Sequence, residues 1–556
     1  MSSAPRDRDH PHTATPLADP GEPMERDPGQ PEHGQLDPGQ LGLGDMDADA
    51  FRRHGHAVID WIADYLDTID ERPVLAQVRP GEVRDQLPAA PPAAPEPFAD
   101  LLGDLERVIV PGLTHWNHPS FHGYFAITGS GPGILGETLA AAFNVNGMLW
   151  RTAPSATELE ELVLDWLRQL LGMDDDWRGI ICDTASISTM LALAAAREAA
   201  DLDIRQRGLA GRTDVPLLRV YTSEQAHSSV EKAAITLGLG RDGVRVIATD
   251  EQHRMRPDLL AEAMREDVRY GYRPLAIVPT IGTTATTSID PVPAIADVRD
   301  ELVEELEHPI WLHVDGAYGG MVAVCPELRS VLDGVERADS FVTNPHKWLF
   351  TPIDCSALYV REPTALTNAF SLVPEYLTTD DEGVTDYMDW GVQLGRRFRA
   401  LKLWFVLRYF GADGLAARIR EHIAQARRIA DRVEDHPDLV LAAPVPMSTV
   451  CFRADPAWLA TPDRPADAPP DEDDDPVAAA DPARSPDPDV RRGVLLDALN
   501  RRLMDRINVS GDALLSHAVV DDRVVLRLAT GSLRTTDEHL ERTWSRVVTE
   551  LAHEHD

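Results

Sequence analysis

Seven short apolar runs, most of them rich in β-branched residues, dominate the middle of this chain. They are GIICDT (179–184), LLRVYT (217–222), VRVIAT (244–249), LAIVPTIGT (275–283), PIWLHVDG (309–316), DSFVTNP (339–345) and CSALYV (355–360). A strand with one wet face alternates apolar and polar residues, whereas a strand covered on both faces reads as a continuous run. Helix-forming segments lie between several of the runs. The pattern predicts an α/β domain over 131–400, with a mostly parallel seven-stranded sheet clad in helices. Beyond 400, long amphipathic helices precede RVVLRLA (523–529), which predicts a smaller α+β domain over 401–556.

The flanks read differently. Residues 1–45 are rich in Pro, Gly, Asp and His and nearly free of large apolar side chains, so they are expected to form a disordered acidic tail. A second acidic, Pro-rich stretch at about 455–490 reads as a disordered insertion in the last domain. Between tail and sheet, residues 46–130 form a helical segment. Phe51, Val58, Ile59, Ile62, Tyr65 and Leu66 recur there at helical spacing.

The net charge of −39 argues against nucleic-acid and anionic-membrane partners, whose phosphates it would repel. No run approaches the roughly 18 apolar residues of a membrane span, and the N-terminus lacks a signal-like apolar core, so a cytoplasmic location is expected. Cys182, Cys325, Cys355 and Cys451 are too scattered for a zinc site or disulfide framework, and no metal is expected.

Lysine usage narrows the chemistry. Only Lys232, Lys347 and Lys402 occur among 53 basic side chains. Arginine remains protonated, whereas a lysine amine can lose its proton and attack a carbonyl. Lys232, in VEKAAITL, reads as helix surface, and Lys402, in FRALKLWFVLRYFG, as a snorkelling helix lysine. Lys347 instead lies between a strand end and the apolar Trp348-Leu349-Phe350.

In open α/β sheets the chemistry gathers at the carboxyl ends of strands. Thr184-Ala185-Ser186 follows the first run and opens a helix, as a phosphate cradle or an ordinary cap. His227 follows the second run, in a polar loop where a structural role is equally open. Thr284 and Asp290 follow the fourth. Asp315 ends the fifth run, either as hydrogen-bonded structure or as the charge partner of a ligand. Asn344-Pro345-His346-Lys347 follows the sixth. Gly131-Pro-Gly133-Ile-Leu-Gly136 fits GxGxxG, but Pro132 and the lack of a following acid favour a glycine-rich helix entry over a dinucleotide site. Pyridoxal phosphate needs a phosphate cradle, a ring-stacking group, a carboxylate for its pyridine nitrogen and a Schiff-base lysine. The chain supplies these in order at 184–186, 227, 315 and 347.

NPHKW, HVDGAYGG, SEQAHSSV, TASIST and LGRRFRALKLWFVLRYFG together resemble the group II pyridoxal-phosphate decarboxylases, most of all the aromatic-L-amino-acid decarboxylase branch. The resemblance runs from about Met46 to Leu551. It implies the aspartate-aminotransferase-like type I fold. It also implies a homodimer with active sites at the interface and residues 46–130 wrapping the partner. Lys347 would carry the cofactor, Asp315 would face the pyridine nitrogen, His227 would stack on the ring and Ala317 would pack beneath it. Thr184, Ala185, Ser186, Asn344 and His346 would lie around the phosphate and lysine, and Thr284 beside His227. Tyr376, in SLVPEYLTTDDEG, sits at the position of the loop tyrosine that relatives use for protonation; relatives with phenylalanine there tend to make aldehydes.

The substrate wall implied by the resemblance comprises Trp116, Tyr124, Phe125, Asn146 and Met148. Asn146 stands where relatives carry an apolar residue and Met148 where they carry phenylalanine. Asp183 replaces a glycine and Ile187 an acid beside the cradle. The expected reaction is decarboxylation of an aromatic L-amino acid to its amine. The alternatives are an aromatic aldehyde synthase, a decarboxylase of an acidic or other polar amino acid, or a silent cofactor-binding or interaction protein.

Overall fold

The computed structural model describes residues 36–125, 127–372, 383–459 and 487–555. Tyr376, Ala126, residues 1–35 of the predicted tail and residues 460–486 of the predicted insertion lie outside these.

The chain divides into two compact units. The described part of the first comprises 36–61 and 78–112. It holds most of α1 (Ala48–Asp67) and all of α2 (Phe98–Asp104). Residues 36–45, read from sequence as tail, have a defined conformation. Asp37 precedes a short helical turn and accepts hydrogen bonds from Arg53 at 2.9 Å and His54 at 2.6 Å. The His54 ring also stacks on Phe98 at 4.3 Å. An acid and two bases thus hold a stretch whose composition alone promised no order.

The second unit, 62–77 and 113 onward, contains both sheets. The large sheet has strands β1 (Arg178–Cys182), β2 (Leu217–Ser223), β3 (Val244–Ile247), β4 (Tyr272–Val278), β5 (Trp311–Asp315), β6 (Ser340–Thr343) and β7 (Ser356–Val360), in the order β1-β7-β6-β5-β4-β2-β3. β7 runs antiparallel to both neighbours; every other pairing is parallel. β1, β5 and β6 therefore end on the same edge. All five residues of β5 are buried, His313 and Asp315 among them. Helix α3 (Gly131–Phe143) follows the N-terminal aromatic stretch, and α4 (Pro154–Leu171) leads into β1. Helix α5 (Ala185–Ala199) buries Ala192, Ala194, Ala195 and Ala196, small side chains that let it lie close to the sheet. A four-stranded antiparallel sheet, in the order β10-β11-β9-β8 with β8 at Leu439–Leu441 and β10 at Ser516–Val520, forms the second layer system. Its β9 is Thr449–Ala454 and its β11 Arg523–Ala529.

A long helix, α6 (Arg399–Asp435), joins the two sheets. It breaks at Gly411, whose φ of 64° and ψ of 169° are non-helical. Its first turns press against α3, where a Cβ on Gly136 would stand 2.8 Å from the Lys402 Cα. The GxGxxG stretch is a helix entry, as expected: Ser130 caps α3 through the Gly133 amide and Gly136 admits the neighbouring helix. Lys402 corrects the sequence reading. It does not snorkel to water but is fully buried, paired with Glu137 at 2.8 Å. Arg397 also binds Glu137, closer to the surface. The close approach of two helices leaves the lysine no path outward, so its charge is met in place.

Removing one partner of such a pair is expected to cost more than replacing the buried charge. Glu137→Ala should destabilise the protein by about 3 kcal/mol in urea unfolding, while Lys402→Met should stay within about 1 kcal/mol of the parent. Equal losses would show that the pair is not uncompensated when halved.

Candidate active site

The end of β5 builds the first part of the site. Asp315 is 4% exposed, and one of its carboxylate oxygens accepts the Ala317 amide at 3.0 Å. Its own backbone bonds to Pro279 and Ile281 across to the β4 end. The next strand, β6, runs into Asn344, which donates its amide to the Ala317 carbonyl and precedes the helical turn Pro345–Trp348. That turn presents Lys347. The His346 ring accepts the Cys355 amide at 2.9 Å, and burial pushes its pKa down to about 3, so it is a neutral structural pin.

Lys347 is half-buried and its amine lies 5.1 Å from the Phe125 ring centre. Burial lowers its pKa below the usual lysine value, and the nearby Arg527 charge lowers it further, while Asp315 opposes both. This is the electrostatic setting in which a lysine amine is available as a nucleophile. His227, after β2, has an exposed ring whose Nδ1 accepts the Ser229 amide at 3.1 Å. Partial burial lowers its pKa, with Asp315 raising and Lys347 lowering it. With Nδ1 accepting, the neutral ring carries its proton on Nε2. His227, Asp315 and Lys347, from three strand ends, thus act on one another.

Thr184 begins α5 without a side-chain cap bond. Its amide is taken by the Asp183 carboxylate at 2.7 Å. Ser186, on the first turn, is exposed. Thr284 is exposed in the loop after β4 and Ala317 is buried.

The structure treats the expected substrate wall unevenly. Phe125 stacks on Tyr318 at 3.9 Å, and Tyr318 on Trp348 at 4.7 Å, so a column of rings stands beside Lys347. Trp116 and Tyr124 stack on each other at 5.6 Å and remain exposed, with Tyr124 held at a φ of 54°. Asn146 is engaged elsewhere: its side-chain oxygen accepts the Arg396 amide at 2.9 Å and its nitrogen lies 3.3 Å from the Met148 sulfur. Its polar group anchors the backbone ahead of α6.

Sequence reasoning missed Arg527 and Tyr318. Arg527, in the middle of β11, is 4% exposed. It donates to the carbonyl of Ala285 at 2.7 Å and of Tyr124 at 3.3 Å, and its guanidinium carbon lies 5.2 Å from the Phe125 ring centre. Its Nη2 is buried with no hydrogen-bond partner among the described residues. The signal was present: an arginine at an inward position of the apolar run VVLRLA needs a reason.

These residues fit pyridoxal phosphate. An amine of lowered pKa suits the cofactor carbonyl, Asp315 suits a protonated pyridine nitrogen, and the α5 N-terminus suits a phosphate. The buried Asn344 side-chain oxygen also lacks a partner among the described residues.

The sequence profile described as Pyridoxal-dependent decarboxylase conserved domain matches residues 80–455, and the chain belongs to that family. It is similar to the phenylacetaldehyde synthase of a Rosa hybrid cultivar, 37% identical over 90% of this chain and 94% of the relative. Tyrosine decarboxylase 4 of Petroselinum crispum is 36% identical over 91% of this chain and 94% of the relative. The crystal structure of Oryza sativa TDC with PLP and tryptamine superposes with a TM-score of 0.81 at 36% identity, covering 92% of this chain and 99% of the other. The protein is therefore a pyridoxal-phosphate-dependent carboxy-lyase of the type I fold. No described helix is long and apolar enough to cross a membrane, and no described cluster of side chains could hold a metal ion.

Proposed function

We propose that the protein decarboxylates an aromatic L-amino acid to the corresponding amine. The observation that carries this reading is the ring column of Phe125, Tyr318 and Trp348 beside the Lys347 amine. Names of similar proteins, among them tyrosine and tryptophan decarboxylases, agree with an aromatic side chain.

Bound pyridoxal phosphate supplies the electron sink for the pair left at Cα when carbon dioxide departs. Lys347 holds an amine that burial has made easier to deprotonate. Asp315 holds a proton at the pyridine nitrogen. His227 offers one ring face and its Nε2–H to the reacting centre. Arg527, with an unspent N–H, receives the substrate carboxylate, and Phe125 excludes water between them. The α5 N-terminus, with Thr184, Ala185 and Ser186, holds the phosphate, while Asn344 and His346 position the lysine turn. Thr284 supports the His227 side and Ala317 floors the ring. Trp116 and Tyr124 contribute to the substrate wall where a second subunit meets the first.

A second reading is favoured by one observation: two of the similar proteins are phenylacetaldehyde synthases. We assign Tyr376 the proton delivery to Cα that separates amine from aldehyde. A panel of Phe, Tyr, Trp, dopa, 5-hydroxytryptophan, His, Glu and Asp, scored for amine and aldehyde by mass, tests this. An amine from an aromatic member is expected, lost in Lys347→Ala and diverted toward aldehyde in Tyr376→Phe. Amine from Glu or Asp alone would overturn the aromatic assignment.

Arg527→Met should raise KM for the amino acid about 10- to 100-fold, the worth of one charge-assisted hydrogen bond, with a smaller effect on kcat. An unchanged kcat/KM would remove Arg527 from substrate binding.

We further infer a homodimer. Leu135, Leu139 and Phe143 form an exposed stripe at four-residue spacing on α3, with Val145 just beyond it. Such a face calls for a cover. Leu139→Glu with Phe143→Glu should shift the mass in light scattering from dimer to monomer; an unchanged mass would place the interface elsewhere. The four unpaired, buried cysteines suit a reducing cytoplasm.

A further inference from the structure

β5 carries more polar chemistry than a fully buried strand needs. Trp311, His313 and Asp315 alternate along it and so share one face. Only Asp315 has a place in the reading above. His313 is wholly buried, and its Nε2 has no partner among the described residues. A buried ring nitrogen without a partner is costly, and structures rarely keep one without use.

The hydrogen-bond pattern fixes which nitrogen carries the proton. The Trp311 indole nitrogen lies 2.8 Å from the Ser340 hydroxyl oxygen. An indole N–H only donates, so Ser340 accepts there. The same hydroxyl lies 2.8 Å from His313 Nδ1. Ser340 is itself 0% exposed and is the register partner of His313 in the β5–β6 pairing. Its proton has no other acceptor among the described residues, so it points at Nδ1. His313 Nδ1 is then an acceptor, and the neutral ring bears its hydrogen on Nε2. Burial pushes the His313 pKa down to about 4, with the Asp315 charge and a contact with the Ser340 backbone acting in the opposite direction. The ring is neutral under ordinary conditions and has a single N–H to offer.

We propose that His313 is a positioning residue for Asp315, presenting an Nε2–H set by the Trp311–Ser340 relay to the carboxylate across one enclosed water. Two residues along a strand advance by about 6.6 Å, a gap that an imidazole and a carboxylate can bridge through one water. One Asp315 oxygen already accepts the Ala317 amide. A second donor fixes the plane of the carboxylate. The group that holds a proton on the cofactor's pyridine nitrogen is thereby oriented from behind.

The inference rests on Asp315 facing that nitrogen, and its test separates the two claims. The protein is stripped of cofactor and reconstituted with pyridoxal phosphate labelled with nitrogen-15 in the ring. Its dissociation constant is read by absorbance and the ring-nitrogen protonation by NMR. His313→Leu and His313→Asn remove the Nε2–H. Both should weaken cofactor binding about tenfold and shift the nitrogen signal toward the unprotonated form. His313→Gln places an amide N–H near the lost Nε2 and should restore both readouts most of the way. Ser340→Ala deletes one oxygen and should act in the same direction to a smaller extent, which covers the case that the His313 variants fold poorly. Parent-like affinity and signal in His313→Asn and Ser340→Ala, or a Gln variant as impaired as Leu, would overturn the relay. Asp315→Asn is measured in parallel. If it shifts the nitrogen signal while the His313 variants do not, only the relay fails. If it too leaves the signal unchanged, the assignment of Asp315 to the pyridine nitrogen fails.

Discussion

An amine and a carboxylate are held out of bulk water at one edge of the large sheet, and much of the architecture exists to make that tolerable. Charge enclosed in protein is costly unless opposite charge or directed dipoles meet it. Lys347 is enclosed enough for its pKa to fall, while Asp315 partly offsets the loss. Asp315 in turn takes a backbone amide from Ala317. The parallel pairing of β4, β5 and β6 delivers both residues to the same edge with only short connections to the site. A lysine on an ordinary surface loop would keep its proton and lose its use.

The same accounting explains the other buried cation. Lys402 is deeper than Lys347 but meets Glu137 directly at 2.8 Å. Two lysines in closely related parts of the fold therefore take opposite roles, one neutralised in place and one kept reactive by an incomplete match. Arg527 extends the contrast: its fixed charge lowers the Lys347 pKa while its unspent Nη2–H remains available to an anion.

The sheet was readable in the sequence because burial on both faces leaves uninterrupted β-branched runs, and because each polar residue at a strand end broke such a run visibly. That is why Asp315, His227 and Lys347 stood out, and the structure places them within mutual electrostatic reach. What could not be read depends on distance in the chain. The Arg527 contact with Tyr124 spans 403 residues. The Lys402 burial follows from helix packing at Gly136, which no local pattern encodes. Asn146 was placed in the substrate wall by resemblance alone, and its bond to the backbone of Arg396, 250 residues away, is one that no local pattern encodes. Ten residues of the predicted tail escaped notice for a similar reason, since Asp37 is held by Arg53 and His54 from further along the chain.

Polar residues on β5 show how a site is supported from inside the sheet. An interior strand that buries only aliphatic side chains would pack more cheaply. β5 instead buries Trp311, His313 and Asp315 on one face, with Ser340 opposite on β6. The indole can only donate, the hydroxyl both accepts and donates, and the imidazole passes the direction on. Each link is polar in one sense, so the chain has a defined start at Trp311 and a defined end at the His313 Nε2. An apolar substitute at 311 or 340 would fill the same volume and leave the imidazole free to hold its proton on either nitrogen. Retaining the polar set is understandable if what must be fixed is the orientation of the carboxylate two residues further on.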